Sequence, residues 1–150
     1  MPRRKPPPGT PWTTSPDDVE AAFYEALLGG NLDALMALWA EDEEVVCIHP
    51  GGQRLDGLDA IRDGFAQLLG NGGLQIAAEV RHRWLGLSCA THSVIERLQI
   101  DVEGRLQWGY VLATNFYVQT PAGWRIALHH ASPGATQSAL DALGPGEVLH

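Results

Sequence analysis

Apolar and polar positions along the chain follow two different periods, helical in the first half and strand-like in the second. Ser15-Pro16-Asp17-Asp18 opens a helix: Ser15 suits the N-cap, Pro16 the first turn, and Asp18 a variant of the capping box near the positive end of the dipole. The stripe Val19, Ala22, Phe23, Ala26 and Leu27 then keeps the helical repeat until Gly29-Gly30 offers a left-handed stop. Asn31 caps a second, shorter helix with Leu32, Leu35, Leu38 and Trp39 on one side, ended in solvent by the acids Glu41 to Glu44. Val45 to Ile48 is an apolar run of strand length, closed by the loop His49-Pro50-Gly51-Gly52. A third helix over Leu58 to Leu69 lines up Leu58, Ile61, Phe65 and Leu68, and Gly70 to Gly73 breaks it.

From Leu74 onward the period is two. Leu74, Ile76, Ala78, Val80, His82 and Trp84 share one face of a long strand, with Gln75, Glu79, Arg81 and Arg83 on the other. Ala90, His92, Val94, Glu96, Leu98 and Ile100 repeat the pattern, and Val102-Glu103-Gly104-Arg105 fits the hairpin turn that follows. A third strand, about Leu106 to Val118, is broken at Thr120 to Gly123 and answered by Trp124 to Ala131. Helices followed by a strand meander predict an α+β domain with an antiparallel sheet. Trp108, Tyr110, Leu112, Phe116 and Val118 share one face of the third strand while Val111, Ala113 and Tyr117 occupy the other, which predicts that both faces are covered.

Composition narrows the function classes. The chain has 150 residues, 45% of them hydrophobic, which suits one domain with a sizeable core. Its net charge of -8 and single lysine, Lys5, disfavour a nucleic-acid partner, since phosphate binding needs clustered bases. No segment approaches the roughly 20 apolar residues of a membrane span, and Met1 to Pro11 has no apolar core behind its basic residues. A cytoplasmic protein without a membrane partner is expected. Cys47 and Cys89 lie in apolar runs and read as free, buried thiols. Residues 1–14, with Arg3, Arg4, Lys5 and five prolines, read as a disordered basic tail; 15–133 form the domain and 134–150 a C-terminal extension.

Polar residues on apolar faces are the candidates for chemistry. Alternation turns His92 and Glu96 inward, and a carboxyl group with imidazoles facing one cavity can supply a general acid and base. An alternative is that Glu96 pairs with Arg81 or Arg83 and that each histidine is a satisfied core residue. His49 ends the first strand, at a place suited to a pocket mouth. His129 and His130 must point to opposite faces. His130 shares parity with Trp124, Ile126 and Leu128 and is the favoured inward residue, with His129 the alternative if the sheet is read the other way. Trp39, Trp84, Trp108 and Phe116 suit either a flat apolar ligand or the core, and Asn115 a ligand contact or a strand hydrogen bond. Six histidines with Glu96 lack any diagnostic metal spacing, so neither metal nor cofactor is expected. No nucleophile elbow or phosphate-loop lysine is present.

The order of elements, together with Trp39 and the acids behind it, Val45 to Pro50, Gly57-Leu58-Asp59-Ala60-Ile61 with Phe65, and Gly123-Trp124-Arg125-Ile126 leading to His129-His130-Ala131-Ser132-Pro133, resembles the SnoaL-like branch of the nuclear transport factor 2-like superfamily. The resemblance spans roughly residues 16–133. It implies a cystatin-like cone, three N-terminal helices packed on a curved antiparallel sheet, one pocket per chain, and a homodimer through the sheet face. It further implies a small apolar or aromatic ligand, handled by a cofactor-independent isomerase, cyclase or dehydratase, or else a non-catalytic dimerisation or ligand-sensing domain. Ketosteroid isomerase, of the same superfamily, sets an aspartate base against a tyrosine and a protonated aspartate. Tyr24 stands near that tyrosine's place, yet no aspartate falls at the base position, so only a generic acid/base role carries over. The expected catalytic set is His92, Glu96 and His49; the expected ligand contacts are Tyr24, Trp39, Trp84, Asn115 and His130.

Overall fold

The computed structural model describes residues 13–134 and 147–149. Residues 1–12 of the proposed tail and most of the C-terminal extension lie outside the described residues; Thr13, assigned to the tail, is instead buried, and its carbonyl accepts from the Trp124 amide at 3.1 Å. Helix α1 runs Pro16–Gly29; Ser15 Oγ accepts from the Asp18 amide at 3.1 Å, and Asp18 Oδ2 reaches back to the Thr14 amide at 3.2 Å. Gly30 closes the helix at φ 66°, a left-handed conformation that costs a residue with a Cβ about 1 kcal/mol or more. Its buried side holds Val19, Phe23, Ala26 and Leu27 as expected, and also Glu20 and Tyr24.

Helix α2 is only five residues, Leu32–Met36, capped by Asn31. It stops short of the expected length because residues 38–40 are captured by a strand: Ile126 donates to the Leu38 carbonyl and Ala40 to the Ile126 carbonyl, both at 2.8 Å. Trp39 is thereby buried in the core. Helix α3, Leu58–Leu68, buries Ile61 and Phe65; Leu69 takes the place expected for Leu68, which is exposed.

The sheet comprises β1 (Val46–Ile48), β2 (Arg54–Asp56), β3 (Ile76–Leu85), β4 (Cys89–Val102), β5 (Arg105–Thr120), β6 (Gly123–Pro133) and β7 (Glu147–Leu149), in the order β2-β1-β6-β5-β4-β3-β7. The meander β3 to β6 is antiparallel as the alternation predicts, with Glu103 and Gly104 both at positive φ in the β4–β5 turn. The sheet as a whole is mixed, because β1 lies parallel to β6. The helical hairpin returns the chain to the free edge of β6 running in the same direction. β2 and β7 were not foreseen: each is three residues long, too short to display a period.

Two bulges reset the alternation. Val80 pairs with Val94 and His82 with Ser93, so Arg81 is an extra residue in β3. His82 and Trp84 therefore leave the face of Ala78 and Val80 and are exposed, whereas Arg83 joins the face of His92. In β6, Ile126 pairs with Tyr117 and Leu128 with Phe116, which makes Ala127 the extra residue. His129 is therefore buried and His130 exposed, the reverse of the parity expected from Trp124. β5 has no bulge of its own: Val111, Ala113, Asn115 and Tyr117 are buried against the helices, while Trp108 and Leu112 remain 57% and 42% exposed on the outer face. Cys47 and Cys89 are free thiols, and among the described residues no helix is long and apolar enough to cross a membrane.

Candidate functional site

Strand register brings the polar residues of the inner face together. His92, Asn115 and His129 lie side by side on β4, β5 and β6, a row that exists only because the Ala127 bulge returns His129 to the inner face. Glu96 sits four residues along β4 from His92, hence on the same face. Helix α1 covers this row with Glu20 and Tyr24, one turn apart.

The network has two centres. Glu20 is fully buried, and its Oε2 accepts from His92 Nδ1 at 2.8 Å, from Asn115 Nδ2 at 3.3 Å and from the Tyr117 hydroxyl; its Oε1 has no partner among the described residues. Glu96 accepts the Tyr24 hydroxyl at 2.6 Å, and the Asn115 amide in turn donates to Tyr24 at 3.2 Å. On its other side Asn115 Oδ1 meets His129 Nδ1 at 2.5 Å, leaving His129 Nε2 at 4.0 Å from Glu96 Oε2.

Beyond Glu96 and His129 a cavity of about 530 Å³ opens between α3 and the sheet. Leu27, Phe65, Leu74, Ile76 and Leu98 make its apolar wall, and His49 and Gln53, on the loop of residues 49–53, and Gln99 on β4 supply polar groups. His49 stacks edge-on against Phe65 at 4.9 Å. A mostly apolar hollow with a few polar groups at one end is the usual form of a small-molecule site.

Burial sets the electrostatics. Desolvation pushes the Glu96 carboxyl up from 4.5 to about 7; the Tyr24 hydrogen bond pulls it down, and the neighbouring Glu20 charge adds to the rise. Desolvation, helped by His49 and His130, holds His129 down at about 3, so its ring is neutral around pH 7. His49 is lowered by burial as well. Tyr24 and Tyr117 are raised well above the phenol range, by burial first and then by the neighbouring carboxylates, and remain donors. Burial likewise raises Cys47 to about 12, which rules out a ready thiolate.

Of the expected catalytic residues, Glu96 and His49 reach the cavity. His92 does not: it is buried behind Glu20, with Nε2 turned toward Asp17 at 3.7 Å. Of the expected ligand contacts, Tyr24 and Asn115 belong to the network beneath the cavity floor. Trp39 is a core residue, packed there by its bridge to Ile126. Trp84 is exposed, carried outward by the Arg81 bulge, and His130 lines a groove on the outer face with Ser93 and Thr114. Arg81 and Arg83, considered as partners for Glu96, donate to Glu79 and Asp17 respectively. Among the described residues no cluster of three metal-ligating side chains forms.

Glu20 and Tyr117 complete the site and were not singled out, and His129, the alternative to His130, is the inward histidine. For Glu20 the signal was present: it precedes Tyr24 by four residues and Leu27 by seven, the spacing of one helix face.

The SnoaL-like domain family matches residues 17–136. Among solved structures, a provisionally assigned calcium/calmodulin-dependent protein kinase type II association domain from Thiobacillus denitrificans is 36% identical, over 83% of this chain and 99% of that one, with a TM-score of 0.75. A provisionally assigned dehydratase of the nuclear transport factor 2-like family from Streptomyces avermitilis is 28% identical, over 79% and 93%, with a TM-score of 0.69. A ketosteroid isomerase-like protein from Erwinia carotovora atroseptica shares the fold at 16% identity, over 79% and 92%, with a TM-score of 0.67. No curated protein matches the chain in sequence. The family match over residues 17–136 and the α+β fold shared with these structures lead to one conclusion: the chain belongs to the SnoaL-like domain family of the nuclear transport factor 2-like superfamily.

Proposed function

We propose that the cavity binds a small apolar molecule and that Glu96 moves a proton on it, in an isomerase, cyclase or dehydratase type of reaction that needs no cofactor. The observation that carries this reading is Glu96 itself, a carboxyl group at the end of an apolar cavity and held near pH 7. A group poised near the working pH is efficient in both directions, as a base when ionised and as an acid when protonated. Tyr24 steadies the ionised form through its hydrogen bond, and the Nε2 of the neutral His129 lies 4.0 Å from the carboxyl. His49 stands at the cavity's polar end, where it can bind or polarise a ligand oxygen.

The test uses 2-tetralone, an enolisable bicyclic ketone, as a probe in deuterated buffer. Exchange of its α-protons, followed by proton NMR, is expected to exceed the buffer rate with the native protein and to fall to that rate with Glu96→Gln. No acceleration, together with no perturbation of the protein spectrum by the probe, would count against both binding and proton transfer.

A second reading, a non-catalytic association domain, is favoured by the likeness to the association domain from Thiobacillus denitrificans and by the exposed Trp108 and Leu112 on the outer sheet face. Under it the protein sediments as a homodimer that Leu112→Asp dissociates, and Glu96→Gln changes nothing measurable in ligand chemistry.

A further inference from the structure

We propose that Glu20, through Asn115, fixes the tautomer of His129, keeping the proton on Nδ1 and presenting the Nε2 lone pair toward Glu96. The argument starts from which groups only accept. Glu20 Oε2 is fully buried and surrounded by three donors, from His92, Tyr117 and Asn115. The amide of Asn115 can be turned two ways, but a carboxylate facing it demands the NH₂ side. Turned the other way, the Asn115 carbonyl would meet Glu20 Oε2 at 3.3 Å, an acceptor against an acceptor with no water between them.

The orientation of Asn115 then decides His129. With NH₂ toward Glu20 and Tyr24, the carbonyl points at His129 Nδ1, 2.5 Å away, and a carbonyl accepts only. Nδ1 must therefore carry the hydrogen, and in a neutral imidazole that leaves Nε2 as the acceptor. Burial of His129 keeps the ring neutral near pH 7, so the choice between tautomers is a real one there. Glu20 touches neither the cavity nor His129; it is a positioning residue acting across the width of one amide.

The consequence for Glu96 rests on the acid/base reading: a lone pair facing the carboxyl at 4.0 Å favours its protonated form, whereas an N–H there would favour the carboxylate. The tautomer itself does not rest on that reading. The deciding experiment observes ring nitrogens rather than turnover, so its failure is distinguishable from failure of the proposed chemistry. Protein labelled with ¹⁵N is examined at pH 7 by long-range ¹H–¹⁵N correlation of the histidine rings, with His129 assigned by its loss in His129→Gln. The native protein should show His129 Nδ1 as the protonated nitrogen and Nε2 as the bare one. Glu20→Met keeps the length of the side chain and removes the acceptor; it should move His129 toward the Nε2–H form by roughly tenfold in the tautomer ratio, the effect of one hydrogen bond to a charged group. Glu20→Gln, whose carbonyl can occupy the Oε2 position, should restore the native pattern. Asn115→Leu, which removes the intermediary, should act as Glu20→Met does. A native spectrum with Nε2 protonated overturns the proposal even if neither Glu20→Met nor Asn115→Leu folds. So does a folded Glu20→Met or Asn115→Leu variant whose His129 keeps the native pattern.

Discussion

Replacing Glu96 by glutamine removes a titrating group whose folded and unfolded states bind protons differently, and the pH dependence of stability reports that difference. In the unfolded chain its carboxyl titrates near 4.5 and in the fold near 7. A raised value contributes stability that is present in full below pH 4.5 and is lost as pH rises toward 7. The gap, at about 1.4 kcal/mol per pH unit, amounts to about 3 kcal/mol. His129 acts in the opposite sense. Lowered from 6.5 to about 3, it contributes stability present above pH 6.5 and lost as pH falls. Between pH 4.5 and 6.5 the two slopes oppose each other, so their joint effect on the native protein is nearly flat. Glu96→Gln keeps a carbonyl to accept from Tyr24 and leaves the His129 slope alone. The variant should therefore gain on the native protein steadily from pH 4.5 to 7, reach an advantage of up to about 3 kcal/mol, and hold it above pH 7. Urea unfolding at half-unit pH steps, followed by tryptophan fluorescence, measures the difference directly, provided the urea slopes agree. A difference constant to within about 0.5 kcal/mol from pH 5 to 8 would show that Glu96 is not held near neutrality, and the acid/base reading would fall with it.

Two further outcomes test the surroundings. Tyr24→Phe removes the hydrogen bond that favours the ionised carboxyl, so the Glu96 midpoint, read from carboxyl ¹³C shifts, should move above its native position; a downward move would contradict the assigned geometry. Gly73→Ala places a Cβ 1.9 Å from the Leu28 carbonyl oxygen and should destabilise the domain by about 1–3 kcal/mol, whereas Gly29→Ala, which meets nothing within 4 Å, should be neutral or stabilising by thermal melt.

The helix starts and stops, the meander and the inward face of β4 are legible in the chain because each rests on a local cause: a capping oxygen, a glycine at positive φ, a period of two. So Ser15, Gly30, Glu103-Gly104 and the pair His92 and Glu96 stand where alternation and capping put them. Extrapolating alternation along β3 and β6 misplaced Trp84 and His130, since one added residue in a strand exchanges its faces and no local signal marks Arg81 or Ala127 as that residue. Glu20 was legible in spacing but not in consequence: a lone acid on an apolar stripe becomes a hub only when β4 and β5 bring His92, Asn115 and Tyr117 to it from more than 70 residues away. Local chemistry therefore determined the elements and the fold family, while the two bulges and the cross-strand register, which depend on pairing between strands distant in sequence, decided which histidine and which carboxyl line the cavity.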